Sequence, residues 1–276
     1  MPIKTETSTD REKRGKLLLL AAFTALSLFI SKIIQTDTLV VASRVYLNAL
    51  IYFVIVFVGL LWSFNLQIKK KSLITLIQPA LFVFSQELFV EFFFFQKFSR
   101  IYEAFILLGL VVVFFFINYF SFLSANIFNV SLFKKIPLLQ VARTVSNIIS
   151  VFMMYFITFS FLLSGFNVYI LLGSLFLFYL LISLLNYVNN GIEEEGELFR
   201  KTFITTLIPF MLFSGVFLSG NVHEVISVIP VVGYFLTVGV ATRESFVKVD
   251  SRSVAIQILV LVFAFFAVLV LNIFDM

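Results

Sequence analysis

Two carboxylates inside an apolar stretch are the strongest chemical signal in this sequence. Glu87 and Glu91 both fall within the apolar run 73–95. Side chains four residues apart share one face of a helix, and a carboxylate in hydrocarbon is costly enough that such residues commonly mark ion or proton pathways. The pair therefore predicts a polar site that binds a lipid headgroup, an ion or a proton.

Other charged residues are predicted to lie near the depth of these carboxylates: Lys32, Arg44, Lys97, Arg100 and Glu103. A helix rises about 1.5 Å per residue, which puts Glu87 in the outer half of its span and Glu91 near the outer surface. Our hypothesis is a pocket open to the outer side, in which Glu87 pairs with Arg44 or another of these cations. The alternative is that the charged side chains extend to interfacial water or pair only to hold helices together.

Nine apolar runs must position these residues, and the composition places the runs in a membrane. Soluble domains are about a quarter charged, whereas charged side chains make up 13% of this chain and hydrophobic ones 61%. Each run approaches the roughly 20 residues that cross a bilayer. The runs are 17–34, 45–64, 73–95, 102–124, 145–164, 167–188, 202–220, 224–241 and 254–273.

The distribution of basic residues predicts the orientation of these runs. Sixteen of the 20 Lys and Arg residues fall in every second gap. The other four, Lys32, Arg44, Lys97 and Arg100, lie at or near the alternate gaps. Because cytoplasmic loops carry the excess of Lys and Arg, the N-terminus is predicted inside and the C-terminus outside. If the polar run 73–95 did not cross, three later basic loops would move outside, so the pattern favours a true crossing.

The predicted fold class is therefore all-α: a polytopic integral membrane helical bundle with about nine transmembrane helices. Eight remain possible because 224–241 is short and contains Pro230. Residues 1–16 are predicted to form a disordered basic cytoplasmic tail, and 17–276 a single transmembrane helical domain. The run 17–34 lacks a small-x-small cleavage site, so we interpret it as a retained helix.

The predicted environment is the cytoplasmic membrane, and the predicted partners are membrane lipids and a possible cytoplasmic protein. The net charge of +5 resides in short loops, which indicates topology signals rather than nucleic-acid binding. The segment 131–143 mixes leucines and cations, as interfacial helices do. It and the loop 189–201 are the candidate docking segments for a protein partner.

The residue inventory excludes several kinds of site. The chain has no Cys and one His, which rules out thiolate metal sites and multi-histidine centres. No Walker A sequence occurs, so ATP hydrolysis of that type is excluded. We therefore predict no metal and no cofactor.

Two motifs resemble those of membrane enzymes without matching them. The acidic patch Glu193–Glu195 with Arg200 resembles the Glu-Glu-x-x-x-Arg motif of intramembrane CAAX-type proteases, but its spacing differs by one residue and the downstream histidines are missing apart from His223. Glu87-x-x-x-Glu91 with Ser251-Arg252-Ser253 is similar to undecaprenyl-pyrophosphate phosphatases. The Pro-Gly before that loop is absent, and the predicted topology puts the two motifs on opposite faces of the membrane.

Three function classes follow, of which a permease or transporter is preferred. Pro79, Pro209 and Pro230 interrupt spans, as in the broken helices of transporters. The alternative is a non-catalytic subunit or assembly factor of a cell-envelope complex. A membrane enzyme acting on a lipid-linked substrate is the third hypothesis. Asn residues within spans, such as Asn118, are expected to hydrogen-bond neighbouring helices.

Overall fold

Almost all of the regular structure in the described part of the chain is α-helical. The computed structural model describes residues 8–34, 42–66, 70–94, 101–131, 138–218, 220 and 224–243, and these contain no β-strand. The helices are α1 (Ser8–Ile34), α2 (Ala42–Ser63), α3 (Lys70–Phe93), α4 (Ile101–Ser131), α5 (Leu139–Leu163), α6 (Val168–Asn189), α7 (Glu195–Leu218) and α8 (Val228–Arg243), with a 3₁₀ turn at Glu224–Ser227 before α8.

Helices α1 to α7 are each long and apolar enough to cross a membrane. Since helices satisfy their own backbone hydrogen bonds, they are one of the two structures that can span hydrocarbon. The chain is therefore a multi-pass, all-α membrane protein, as its composition predicted. The predicted span 254–273 lies outside the described residues, so the count of nine crossings stays a prediction.

The eighth helix is short but is extended by the turn that precedes it. α8 has 16 residues and follows directly on the four-residue 3₁₀ turn. Rises of about 2 Å per 3₁₀ residue and 1.5 Å per α-helical residue give a total near 30 Å. Added along one axis, that length matches the hydrocarbon thickness of about 30 Å, and crossing by the predicted span 224–241 stays a prediction.

Several helices are longer than the apolar runs that predicted them. α1 begins at Ser8, so residues 8–16 are helical and the predicted disorder of this stretch is wrong. An ion pair between Lys16 Nζ and Glu12 Oε1, 2.6 Å long, supports this first part of the helix. α5 begins at Leu139, so the last five residues of the predicted interfacial segment 131–143 belong to a spanning helix. Hydropathy marks only the lipid-buried part of a helix, and the polar ends continue beyond it.

Contacts divide the chain into two compact units, with the boundary inside α5. Unit 1 is Met1–Ile149 and unit 2 is Ser150–Met276. The single domain over 17–276 stays a prediction.

In unit 1, α3 is the central helix and packs against α1, α2 and α4. The apolar span of α3 is 83% buried, against 22% for that of α2. α3 is thus enclosed by its neighbours, whereas α2 presents most of its surface outward.

Close packing at the predicted cytoplasmic end fixes α1 against α2. A Cβ at Gly59 would lie 2.6 Å from Leu20 Cδ1, so glycine is what lets the leucine pack against α2. Lys16 Nζ donates to Asn65 Oδ1 at 2.8 Å and lies 5.1 Å from the centre of the Trp62 ring. The beginning of α1 and the end of α2 therefore share one level, and the two helices run antiparallel.

In unit 2, α7 packs against both α6 and α8. Gly165 adopts φ of +68° in the turn that joins α5 to α6, a conformation that favours glycine. Asn167 then caps α6, because its side-chain oxygen accepts from Tyr169 N at 3.1 Å.

Candidate functional site

The central helix of unit 1 carries a column of buried polar side chains. Glu87 is 1% exposed and Glu91 is 4% exposed, and both belong to α3. Their neighbours Ser85 and Gln86 are buried as well. A helix with this many polar groups is disfavoured in lipid, which explains why α3 is enclosed by the more apolar helices around it.

A tyrosine from α2 and two serines from α1 line the region beside the carboxylates. The Tyr52 hydroxyl lies next to the hydroxyls of Ser27 and Ser31, and it is within electrostatic range of both Glu87 and Glu91. Ser27 and Ser31 are four residues apart and so share one face of α1. Three helices thus contribute oxygen atoms to the same part of the interior.

An amide pair joins α3 to α4 beside the first carboxylate. Asn118 Nδ2 donates to Gln86 Oε1 at 2.9 Å, which confirms that Asn118 bonds a neighbouring helix. Within the part of the chain that the structure describes, Gln86 Nε2 and Asn118 Oδ1 have no hydrogen-bond partner. Each buried amide therefore retains one donor or acceptor that a polar ligand could use.

A second polar contact fixes α3 but lies away from the carboxylates. Gln78 Nε2 donates to Ser146 O at 3.1 Å, and Ser146 Oγ donates to Gln78 Oε1 at 2.8 Å. Gln78 precedes Glu87 by nine residues, about 14 Å along the helix. We therefore interpret this pair as a lock that sets the rotation of α3 against α5.

Arg44 is a predicted site cation whose side chain lies in the described part of the chain. Arg44 is exposed near the beginning of α2. The rings of Tyr46 and Phe92 lie 6.1 Å apart, which places these residues at similar levels. Arg44 is consequently about 10 Å further along the bundle axis than Glu87 and closer to the level of Glu91. Pairing between Glu87 and Arg44 stays a hypothesis.

The other predicted site residues are only partly covered by the structure. Glu103 lies in α4, but its side chain is outside the described part. Lys97 and Arg100 fall in the segment 95–100, which is also outside the described residues. The structure thus brings together the two carboxylates and adds Tyr52, Ser27 and Ser31, which sequence analysis did not identify.

The groups of this site that could contact a ligand are mainly oxygen atoms, together with two side-chain amides. Among the described residues, no group of three or more His, Cys, Asp and Glu side chains could hold a metal ion. Two carboxylates, three hydroxyls and two amides suit a small cation, a proton or a solute with a cationic group.

Unit 2 has a buried polar cluster of a different kind. The Tyr234 hydroxyl of α8 lies beside Ser150 of α5 and Asn186 of α6, with Tyr187 nearby. All four residues are fully buried, and none carries a carboxylate or an ammonium group.

A hydroxyl pair ties α5 to α6 in the same unit. The oxygens of Thr158 and Tyr179 are 2.7 Å apart. Thr158 Oγ1 also donates to Met154 O at 2.6 Å. Because a threonine hydroxyl has one hydrogen, Tyr179 must be the donor in the pair.

The loop 189–201, one of the two predicted docking segments for a protein partner, is partly buried. Asn189 and Lys201 have little exposed surface, whereas Glu193, Glu194 and Glu195 are exposed. Lys201 belongs to α7, which begins seven residues earlier than the predicted span 202–220. Of the other segment, 132–137 lies outside the described residues. Docking of a protein at either segment stays a prediction.

Comparison with known proteins gives no assignment. No protein-family model, no curated protein and no solved structure matches the chain.

Proposed function

We propose that this membrane protein is a permease whose binding site is the polar interior of unit 1, at Glu87 and Glu91. The observation that carries the proposal is the burial of both carboxylates inside the central helix α3. Carboxylates that served only to reach interfacial water would lie at the surface of the bundle. Ionisable groups inside membrane bundles characteristically mark the path of an ion, a proton or a substrate.

The groups around the carboxylates favour a small cation or a solute with a cationic group as the transported species. Glu87 and Glu91 supply negative charge, and Tyr52 with the two serines of α1 supplies hydroxyl oxygens. The free positions of Gln86 and Asn118 add one donor and one acceptor. Such a set can replace part of the hydration shell of an ion, which is what passage through hydrocarbon requires.

The proposed orientation follows the positive-inside pattern. With the N-terminus in the cytoplasm, the end of α3 that carries Glu91 faces the outer side of the cytoplasmic membrane. The pocket would then open outward, with the exposed Arg44 at its rim.

The test is cation flux in reconstituted vesicles. The purified protein is placed in liposomes that contain a pH-sensitive dye, and a proton or Na⁺ gradient is imposed. We expect flux that falls at least tenfold in Glu87→Gln, because the amide keeps the size of the side chain but removes its charge. We also expect this variant to melt no lower than the wild type, since the amide fills the same volume and removes the cost of burying a charge.

Glu194→Gln is the matched control, because it makes the same chemical change at an exposed position in unit 2. Its flux should equal that of the wild type. Equal flux in the wild type, Glu87→Gln and protein-free vesicles would disprove cation transport. Stoichiometric co-purification of another protein that is unaffected by Glu87→Gln would instead support the subunit hypothesis.

A further inference from the structure

A slot between α7 and α8 combines a cationic end with an apolar body. Its volume is about 420 Å³, and it lies wholly within unit 2. Arg200 and Lys201 line one end. The rest is mainly apolar and includes Ile204, Ile208, Leu236 and Val240.

The helix register explains this division. Arg200, Ile204 and Ile208 succeed one another at four-residue intervals, so they form one stripe along α7. From Arg200 to Ile208 the stripe runs about 12 Å along the helix. One leaflet of hydrocarbon is about 15 Å deep, so the slot follows most of a leaflet from its polar edge inward.

The floor of the slot depends on a glycine. A Cβ at Gly233 would lie 2.9 Å from Leu212 Cδ1 and 3.3 Å from Pro209 Cα, so α8 approaches α7 closely at this point. Thr237 also lines the slot, but its hydroxyl donates to the carbonyls of Gly233 and Tyr234 within its own helix. Below the cations the slot therefore offers surface suited to an acyl chain.

Acidic groups lie on the polar side of the two cations. Lys201 Nζ is 2.7 Å from Glu197 Oε1, one turn nearer the beginning of α7. Glu193 and Glu194 precede α7 in the chain, Glu195 is its first residue, and all three are exposed. Along the chain the order is therefore acidic residues, then two cations, then an apolar stripe.

We infer that this slot holds a zwitterionic, amine-headed phospholipid. Arg200 and Lys201 bind its phosphate, the acidic residues face its ammonium group, and one acyl chain lies along Ile204 and Ile208. A headgroup with net negative charge fits less well, because four glutamates closely precede the two cations in the chain. The inference is independent of the permease proposal, since the two sites lie in different units.

The test is lipid retention measured by native mass spectrometry. The detergent-purified protein is incubated with equal amounts of phosphatidylethanolamine and phosphatidylglycerol that have the same acyl chains. We expect one phosphatidylethanolamine to be retained in preference. Arg200→Gln should lower that retention about tenfold, because it removes a charge-assisted hydrogen bond to phosphate. Arg14→Gln, at an exposed cation of unit 1, should leave it unchanged.

Two further variants separate the parts of the inference. Ile204→Trp fills the apolar stripe without changing charge and should displace the lipid, whereas Phe203→Trp, beside it but outside the slot lining, should not. Combined Glu193→Gln, Glu194→Gln and Glu195→Gln should bring retention of the two lipids towards equality.

Retention of phosphatidylglycerol equal to or above that of phosphatidylethanolamine by the wild type would overturn the inference. So would unchanged retention in both Arg200→Gln and Ile204→Trp. The Ile204→Trp result also covers the case in which Arg200→Gln fails to fold.

Discussion

The two units both bury polar side chains between apolar helices, but they use different chemistry. In unit 1, the central helix presents Glu87 and Glu91 to hydroxyls from α1 and α2. In unit 2, the cluster around Tyr234 contains only hydroxyls and amides. A neutral hydrogen bond between helices contributes modestly to stability, about 0.6 kcal/mol on average. A carboxylate at the same depth costs several times that amount.

This difference indicates separate roles for the two polar interiors. Neutral polar groups that lie side by side on neighbouring helices can be explained by packing alone. Carboxylates are a poor means of holding helices together, because an apolar side chain of similar size would often do so at lower cost. We therefore expect the buried carboxylates of unit 1 to have a functional role. The buried neutral groups of unit 2 are expected to contribute only to helix packing.

The largest expected loss of stability comes from placing a charge in the interior of unit 2. Ser183 is fully buried on α6, and Ser183→Asp should lower the free energy of unfolding by about 3 kcal/mol. Ser183→Ala, which removes only the hydroxyl, should change it by less than about 0.5 kcal/mol. Both values can be measured by unfolding in mixed detergent micelles. If the aspartate variant were as stable as the alanine variant, the proposed contrast between the units would be wrong.

An intermediate effect is expected at the amide pair of unit 1. Asn118→Leu leaves the buried Gln86 amide without its partner and should cost about 1–2 kcal/mol. Adding Gln86→Leu removes the unsatisfied amide, so the double variant should recover part of this loss. A double-mutant cycle of unfolding free energies measures the coupling. Strict additivity would show that the amide pair does not join α3 to α4.

The smallest effect is expected at the hydroxyl pair of unit 2. Tyr179→Phe removes a donor to Thr158, but the Thr158 hydroxyl keeps its own bond to Met154 O. No donor is left unsatisfied, so the loss should be about 0.6 kcal/mol. A loss of unfolding free energy above about 2 kcal/mol would contradict the view that neutral hydrogen bonds in unit 2 contribute only modestly to stability.

The spanning helices of the described residues could be predicted from sequence because long apolar runs favour lipid, and the pattern of basic residues supported a crossing by the more polar run 73–95. Glu87 and Glu91 stood out for the same reason, since charge within an apolar run is rare. The extension of α7 to include Lys201 was missed. The four-residue spacing of Glu197 and Lys201 is typical of a helix, but the two adjacent cations at 200 and 201 favoured a loop before the predicted span.

The partners of the polar residues could not be predicted. Gln86 and Asn118 are 32 residues apart, and Gln78 and Ser146 are 68 apart. Which of these side chains meet depends on how far each helix is rotated about its own axis, and that rotation is set by packing along the whole helix. Tyr52 was missed because a single tyrosine in an apolar span is ordinary until its neighbours are known.

The enclosure of α3 has a consequence for how the chain is made. Its span has a mean hydropathy of 1.6, against 2.3 for α2 and 2.5 for α4, and it carries two buried carboxylates, which are costly in hydrocarbon. The helices around α3 shield these carboxylates from lipid, and one of them, α4, is synthesised only after α3. We therefore expect α3 to be held less stably in the membrane in a chain truncated before Asn118, because that residue of α4 bonds Gln86.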